Sequence, residues 1–171
     1  VLRCLRGSVI LIRRVFAGLA MNHSNDMSRE FIQKKLEQIR LLLDELDMLL
    51  KRSFDAFEKE FVTVRAAERN FQLIVDLASD CNTHILTELG HKTPDSYRQS
   101  FVELEKVGVL PKQLMSTLAE SARLRNILVH EYDFEEDYEK FYNSAKEFSP
   151  AYREYISVLG AFLEKDPASL K

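Results

Sequence analysis

The chain has 171 residues and a mass of 19.9 kDa, with 46% hydrophobic and 30% charged residues, a composition typical of one soluble globular domain. Its formal net charge of −3 excludes a chain that is basic throughout, so any contact with nucleic acid must come from a local basic site. Two cysteines exclude a disulfide framework and a cysteine zinc site, and five glycines argue against a β-sandwich with many tight turns.

Residues 1–27 are predicted to be an N-terminal extension outside the domain. The first twenty residues contain four arginines and no acid. Their apolar run, Val9 to Ile12, is too short to span a bilayer or to direct export. An amphipathic helix at a membrane interface stays an alternative. We favour the extension, because helical periodicity starts only after Asn25, and we expect no stable association with a membrane.

The first half of the domain is predicted to contain two long helices joined by a short one. From Ser28 onward, apolar residues recur at spacings of three and four, which predicts a long helix with a core-facing stripe. This stripe consists of Ile32, Leu36, Ile39, Leu43, Leu46 and Leu50. Residues 53–61 carry phenylalanines at the same spacings and predict a short helix. Residues 64–89 predict the second long helix, which Gly90 ends.

Three more helical regions are predicted in the second half. The first covers residues 96–106, and the second runs from Pro111 to about His130. The third covers residues 133–164. We expect it to be interrupted at Ser149-Pro150, because the residue before a proline disfavours the α conformation.

The whole pattern predicts an all-α, antiparallel helical bundle of about five or six helices over residues 28–165, followed by a tail at 166–171. No segment alternates apolar and polar residues over the length of a strand. No glycine-rich phosphate loop, serine nucleophile elbow or paired-histidine metal motif is present, so we expect neither a metal nor a cofactor. Cys81 lies in an apolar stripe and is predicted to be a core residue.

One polar segment, from Arg123 to Tyr132, stands at the end of an otherwise apolar helix. It contains Arg125, Asn126, His130 and Tyr132. Arginine offers a phosphate a permanent charge and a fork of donors, and histidine exchanges a proton near neutral pH. Metal-free phosphodiester cleavage requires these groups. Spacing alone nevertheless favours a purely structural role for these residues, in which Arg125 pairs with a surface carboxylate and His130 complements the helix dipole.

This segment, RNILVHEY, resembles the R-N-x-x-x-H-x-Y signature of HepT-like proteins in the HEPN superfamily, and the resemblance extends from about Ser28 to Leu163. Other matching features are Arg65-Ala-Ala-Glu-Arg-Asn-Phe-Gln, Asp80, His84, the Pro94–Tyr97 turn, Phe101, Leu104 and Gly108-Val-Leu110. Two features depart from the family pattern. Asp76 stands where a longer glutamate is common, and the run from Glu131 to Glu139 is more acidic than an RNA groove prefers.

The resemblance implies a homodimeric, metal-independent ribonuclease in which the Arg-to-His motifs of two chains meet in a cleft. It further implies the toxin of a type VII HepT–MntA toxin–antitoxin pair, acting in the cytoplasm on RNA, such as tRNA or mRNA, and not on DNA. If the residue roles of the family apply here, Arg125 would hold the scissile phosphate and His130 would transfer protons. Asn126 would orient His130 or the phosphate. Tyr132 would be the residue that the MntA-type nucleotidyltransferase modifies with AMP.

Asp80 and His84 are four residues apart and share a helix face. They would either support His130 from beside the cleft or form a polar pair satisfied within the dimer interface. We favour the polar pair.

Two other classes of protein stay open. The chain could be a non-catalytic helical module that partners a minimal nucleotidyltransferase, since the acidic run after His130 suits a basic partner. It could also be a purely structural helical dimer whose motif residues stabilise the interface.

Overall fold

The computed structural model describes residues 28–130 and 138–164, and all regular structure in these ranges is helical. The six helices are α1 (residues 28–49), α2 (Phe54–Glu58), α3 (Phe61–Glu88), α4 (Tyr97–Lys106), α5 (Lys112–His130) and α6 (Tyr138–Glu164). The predicted all-α bundle is confirmed. The predicted extension, residue Tyr132 and the predicted tail lie outside the described residues. None of the described helices is long and apolar enough to cross a membrane.

Helices α1 and α3 run antiparallel, because the contacts between them pair the start of one with the end of the other. In order along α1, these contacts are Phe31 with His84, Lys35 with Asp80 and Glu45 with Asn70. Helix α3 also packs on α2, α4, α5 and α6, so it is the central element of the bundle.

The core lies where the periodicity of the sequence places it. All six residues of the predicted α1 stripe are buried, with Leu36 the most exposed of them at 6%. Phe57 of the short α2 is fully buried and packs against Tyr142 of α6, with ring centres 5.2 Å apart and the ring planes tilted by 52°. Burying a large apolar side chain contributes about 1.5–3 kcal/mol, so this stripe is a main source of stability.

Glycine ends α3 and α4, as predicted for Gly90. Gly90 and Gly108 have φ values of 80° and 78°, in the left-handed region that a side chain disfavours. After α3, the backbone N–H of His91 donates to the carbonyl of Leu86 at 2.8 Å, which satisfies one of the last helical carbonyls.

Helix α6 continues through Ser149 and Pro150, so the predicted interruption there is wrong. Proline removes one backbone hydrogen bond and crowds the preceding turn. Side-chain contacts on both sides of this position hold the helix in place: Ser149 Oγ donates to Asp47 at 2.6 Å, and the Tyr152 hydroxyl lies 2.7 Å from Ser121 Oγ. Tertiary contacts therefore override the local preference.

A buried polar network joins α3, α4 and α6. The Tyr155 hydroxyl lies 2.7 Å from Asn82 Oδ1 and 3.0 Å from the Ala78 carbonyl oxygen, so these two acceptors share its hydrogen. Asn82 Nδ2 donates to Ser100 Oγ at 3.1 Å, and Ser100 Oγ donates to the Tyr97 carbonyl at 2.7 Å. The network thus fixes the first turn of α4 against α3.

Replacing Tyr155 by phenylalanine tests this network. Tyr155→Phe leaves Asn82 Oδ1 buried without its donor, and we expect the free energy of unfolding to fall by about 1–3 kcal/mol in urea titrations. Glu154→Ala, on the exposed side of the same helix, is the control and should change it by no more than about 0.5 kcal/mol. A Tyr155→Phe protein as stable as the control would show that the network contributes nothing.

Candidate active site

Arg125 lies where α3, α4 and α5 meet. Its side chain is 14% exposed, and its Nε donates to Oδ1 of Asp76 at 2.9 Å. The guanidinium carbon stands 4.5 Å from the centre of the Tyr97 ring, within the range of a cation–π contact. A carboxylate and an aromatic ring therefore hold one guanidinium from two other helices.

The start of α4 determines where the ring of Tyr97 lies. Ser96 caps this helix, because its Oγ accepts a hydrogen bond from the backbone N–H of Gln99 at 3.2 Å. Tyr97 is the first residue of α4, and its carbonyl accepts from Ser100 in the buried network. The ring is thus fixed by backbone contacts.

Tyr97 is a neutral phenol at physiological pH. Burial raises its pKa above the usual value, and the negative charge of Asp76 raises it further, while Arg125 acts in the opposite direction. The ring is consequently a neutral platform for the guanidinium.

The contact with Asp76 leaves most of the donors of Arg125 available. Only Nε takes part in this ion pair, and the Nη atoms make no hydrogen bond within the described residues. A guanidinium held at one edge, with its fork of Nη donors open, is suited to a phosphate. The contact orients Arg125 without occupying that fork.

The other motif residues are described in part. Asn126 is exposed on α5, next to Arg125. His130 is the last residue of α5, but its side chain and the whole of Tyr132 lie outside the described part of the chain. Position 130 follows Arg125 by five residues, which separates the two by about 140° around the helix axis.

Asp80 and His84 have separate partners in this chain. Asp80 accepts from Lys35 Nζ of α1 at 2.7 Å. The His84 ring lies 4.8 Å from the ring of Phe31, and its Nε2 is 3.6 Å from Glu88, too long for a hydrogen bond. Among the described residues this buried Nε2 has no hydrogen-bond partner. Asp80 therefore pairs with Lys35 in the single chain, and a polar pair of Asp80 and His84 within a dimer interface stays a prediction.

The sequence alone does not identify Tyr97 as a site residue, although it predicts the turn that contains it. It marks Asp76 only as a departure from a family pattern. The available signal was local: Ser96 is a capping residue, so an aromatic residue directly after it begins a helix. Nothing in the sequence shows that this helix start lies over α5.

The described ranges contain neither a reactive cysteine nor a cluster of metal ligands. Burial raises the pKa of the Cys81 thiol to about 12, so at neutral pH Cys81 is a core residue and not a nucleophile. In the same ranges, no three side chains of His, Cys, Asp or Glu come together in a way that could hold a metal ion.

Known proteins are similar to this chain in sequence and in fold. The family model for "Ribonuclease HepT-like" proteins matches residues 23–159. The tRNA nuclease HepT of Aphanizomenon flos-aquae (strain 2012/KM1/D3) is 40% identical over 104 residues, which make up 60% of this chain and 69% of that protein.

Solved structures share the fold at lower identity. The tri-AMPylated Shewanella oneidensis HEPN toxin, solved in complex with MNT antitoxin, has a TM-score of 0.70 at 22% identity, over 77% of this chain and 97% of that one. A toxin–antitoxin structure with AMP-PNP has a TM-score of 0.71 at 21% identity, over 77% and 98% of the two chains. These likenesses confirm the HEPN type of helical fold.

A double-mutant cycle tests the contact between Arg125 and Asp76. Each of Arg125→Ala and Asp76→Ala leaves the other charge partly buried without its partner, so we expect each to lower the free energy of unfolding by about 1–3 kcal/mol. The loss of unfolding free energy in the double variant should be about 1–2 kcal/mol smaller than the sum of the two single losses, and this difference is the coupling energy. The exposed pair of Arg40 and Glu37 is the control and should show weak coupling. Additive effects at Arg125 and Asp76 would contradict the contact.

Proposed function

This chain belongs to the HepT-like family, and we propose that it is a metal-independent endoribonuclease, the toxin of a toxin–antitoxin pair, with Arg125 and His130 as its catalytic residues. The observation that carries the proposal is the preorganised guanidinium of Arg125, five residues before the histidine of the family signature. The substrate is RNA. We favour tRNA, because the relative from Aphanizomenon is a tRNA nuclease.

RNA supplies its own nucleophile, the ribose 2′-OH, so the protein needs to position the strand, move protons and stabilise charge. One His130 takes the proton of the 2′-OH as that oxygen attacks the phosphorus. The bond to the 5′ oxygen breaks, and a second His130 gives this leaving oxygen a proton. The Nη fork of Arg125 stabilises the charge on the pentacovalent phosphate. The products are a 2′,3′-cyclic phosphate and a 5′-hydroxyl.

The active form is a homodimer. One chain supplies a single motif histidine, whereas the reaction needs both a base and an acid. Arg125 and position 130 also lie on different sides of α5, so two helices meeting at their ends would complete the site. Ile127, Leu128 and Val129 at this end of α5 are only half-buried in the single chain, and a second copy would cover them.

An MntA-type nucleotidyltransferase is the antitoxin, and both proteins act in the cytoplasm. The proposal assigns the AMP acceptor to Tyr132. A tyrosyl-AMP would place a phosphate near Arg125 and His130, where it would compete with RNA for the guanidinium and fill the cleft. Asn126 orients the histidine or the phosphate.

Cleavage of tRNA by the purified protein tests the catalytic assignment. We expect cleavage in the presence of EDTA, with a 2′,3′-cyclic phosphate at the new end, and a loss of about 100-fold or more in kcat for Arg125→Ala and His130→Ala. Arg125→Lys keeps the charge without the fork and should lose about tenfold.

The control for this experiment is Arg40→Ala, which removes an exposed arginine of α1 and should leave kcat unchanged. Melting temperatures identify variants that lose activity through unfolding. Abolition of cleavage by EDTA would refute the metal-free mechanism. Absence of cleavage with folded wild-type protein would favour the non-catalytic binding module.

Intact-mass measurement tests the modification. Wild-type protein co-expressed with its nucleotidyltransferase should gain one or more AMP units and lose ribonuclease activity. Tyr132→Phe should gain none and stay active, whereas Tyr138→Phe, the matched control at the next tyrosine, should be modified like the wild type. An AMP increment that persists in Tyr132→Phe would place the modification at another residue.

A further inference from the structure

A cavity of about 460 Å³ lies between the start of α4 and the second half of α5. It is lined by Ser96, Arg98, Glu120, Arg123 and Asn126. Its volume falls within the range of sites that bind small ligands or single nucleotides. Arg125 is held on the other side of the α4 start, by Tyr97, so it does not line this cavity.

Two arginines of this cavity differ from the others in the described chain. Arg98 and Arg123 have no hydrogen bond, ion pair or ring contact with any described residue, whereas the remaining described arginines all interact with a neighbour. Those others are Arg29, Arg40, Arg52, Arg65, Arg69, Arg125 and Arg153. The two guanidiniums without a partner therefore share one concave surface.

This surface continues the face of α5 that carries Asn126 and position 130, whereas Arg125 lies on another side of the helix. Positions 123, 126 and 130 follow one another at spacings of three and four, so they lie within about 60° of each other around the helix. Asn126 belongs both to the cavity and to the family signature. A strand bound at Asn126 and position 130 would thus reach the cavity along a single helix face.

We propose that Arg98 and Arg123 form a second phosphate subsite, which holds an RNA backbone phosphate other than the one that is cleaved. The proposal rests on the proposed ribonuclease function. Two guanidiniums supply charge and paired donors for one phosphate, and Ser96 and Asn126 add polar groups at the rim. The subsite gives an acidic chain the local positive charge that it needs to bind RNA.

Glu120 lines the same cavity, and its carboxylate repels phosphate. This repulsion is stronger for a free polyphosphate than for a single phosphate within a strand, because it grows with the charge of the ligand. The carboxylate can accept a hydrogen bond from a ribose hydroxyl or from an exocyclic amine of a base. Glu120→Gln removes this repulsion, and we expect it to tighten RNA binding about twofold.

Binding of single-stranded RNA tests the subsite without cleavage. In a His130→Ala background, Arg98→Ala and Arg123→Ala should each weaken binding about tenfold. Removing both should lower the slope of log K against log salt by about 0.7, the contribution of the one phosphate contact that the subsite makes on a single strand. Arg40→Ala removes one positive charge from α1, as each single variant does from the cavity, and should change neither value.

Cleavage kinetics give a second readout that loss of folding would not imitate. A dinucleoside monophosphate contains only the scissile phosphate, whereas a longer RNA also reaches the cavity. For the wild type, kcat/KM should be higher for the longer RNA than for the dinucleoside monophosphate. We expect the ratio of these two kcat/KM values to fall at least tenfold in the double variant, mainly because KM for the longer RNA rises. Arg40→Ala should keep the ratio of the wild type.

The outcomes separate this inference from the proposed function. If the wild type cleaves RNA and the double variant binds and cleaves long RNA equally well, the subsite is wrong and the ribonuclease stands. If the wild type fails to cleave but binds RNA through Arg98 and Arg123, the ribonuclease is wrong and the subsite stands. If the double variant keeps its RNA affinity but no longer binds the nucleotidyltransferase, the cavity is a protein contact, which overturns the subsite.

Discussion

A guanidinium that is mostly withdrawn from water needs an anion beside it, and in this chain Asp76 of α3 provides that anion for Arg125 of α5. The side chain of aspartate is short, so α5 must pack closely against α3 for the 2.9 Å contact to form. The contact engages one edge of the guanidinium and leaves the other edge open. The same interaction therefore joins two helices of the core and aims the charged group on which phosphate chemistry depends.

The first turn of α4 connects this pair to the surface. Its position is set from inside the bundle, where Ser100 bonds to Asn82 and Asn82 bonds to Tyr155. Consecutive residues then take different roles: Tyr97 covers Arg125 within the helix junction, while Arg98 lines the open cavity. A buried network that touches no substrate thus determines the placement of Arg125 relative to Arg98. In our proposals Arg125 binds the scissile phosphate and Arg98 binds a second phosphate.

Periodicity, together with the glycines and prolines between the periodic segments, was sufficient to predict a bundle of about five or six helices and the α1 core stripe, because apolar spacing reports directly on which face is buried. Local rules failed where contacts between helices decide the outcome. The rule for residues before proline predicted a break at Pro150, but Ser149 and Tyr152 hold α6 to its neighbours. Spacing within α3 places Asp80 and His84 on one helix face, but it contains no information about Lys35 of α1, which binds Asp80. The position of Tyr97 over Arg125 could not be predicted for the same reason, and the roles of His130 and Tyr132 stay predictions.

The proline inside α6 also affects how this helix opens. Without an N–H at position 150, one backbone hydrogen bond is missing, so the two halves of α6 are not joined by an unbroken series of amide hydrogen bonds. Their cooperativity depends on side chains that reach α1 and α5, through Asp47 and Ser121. The packing between helices therefore determines which part of α6 unfolds as a unit. Slow amide hydrogen exchange in the second half of α6 would then require the whole bundle to unfold first.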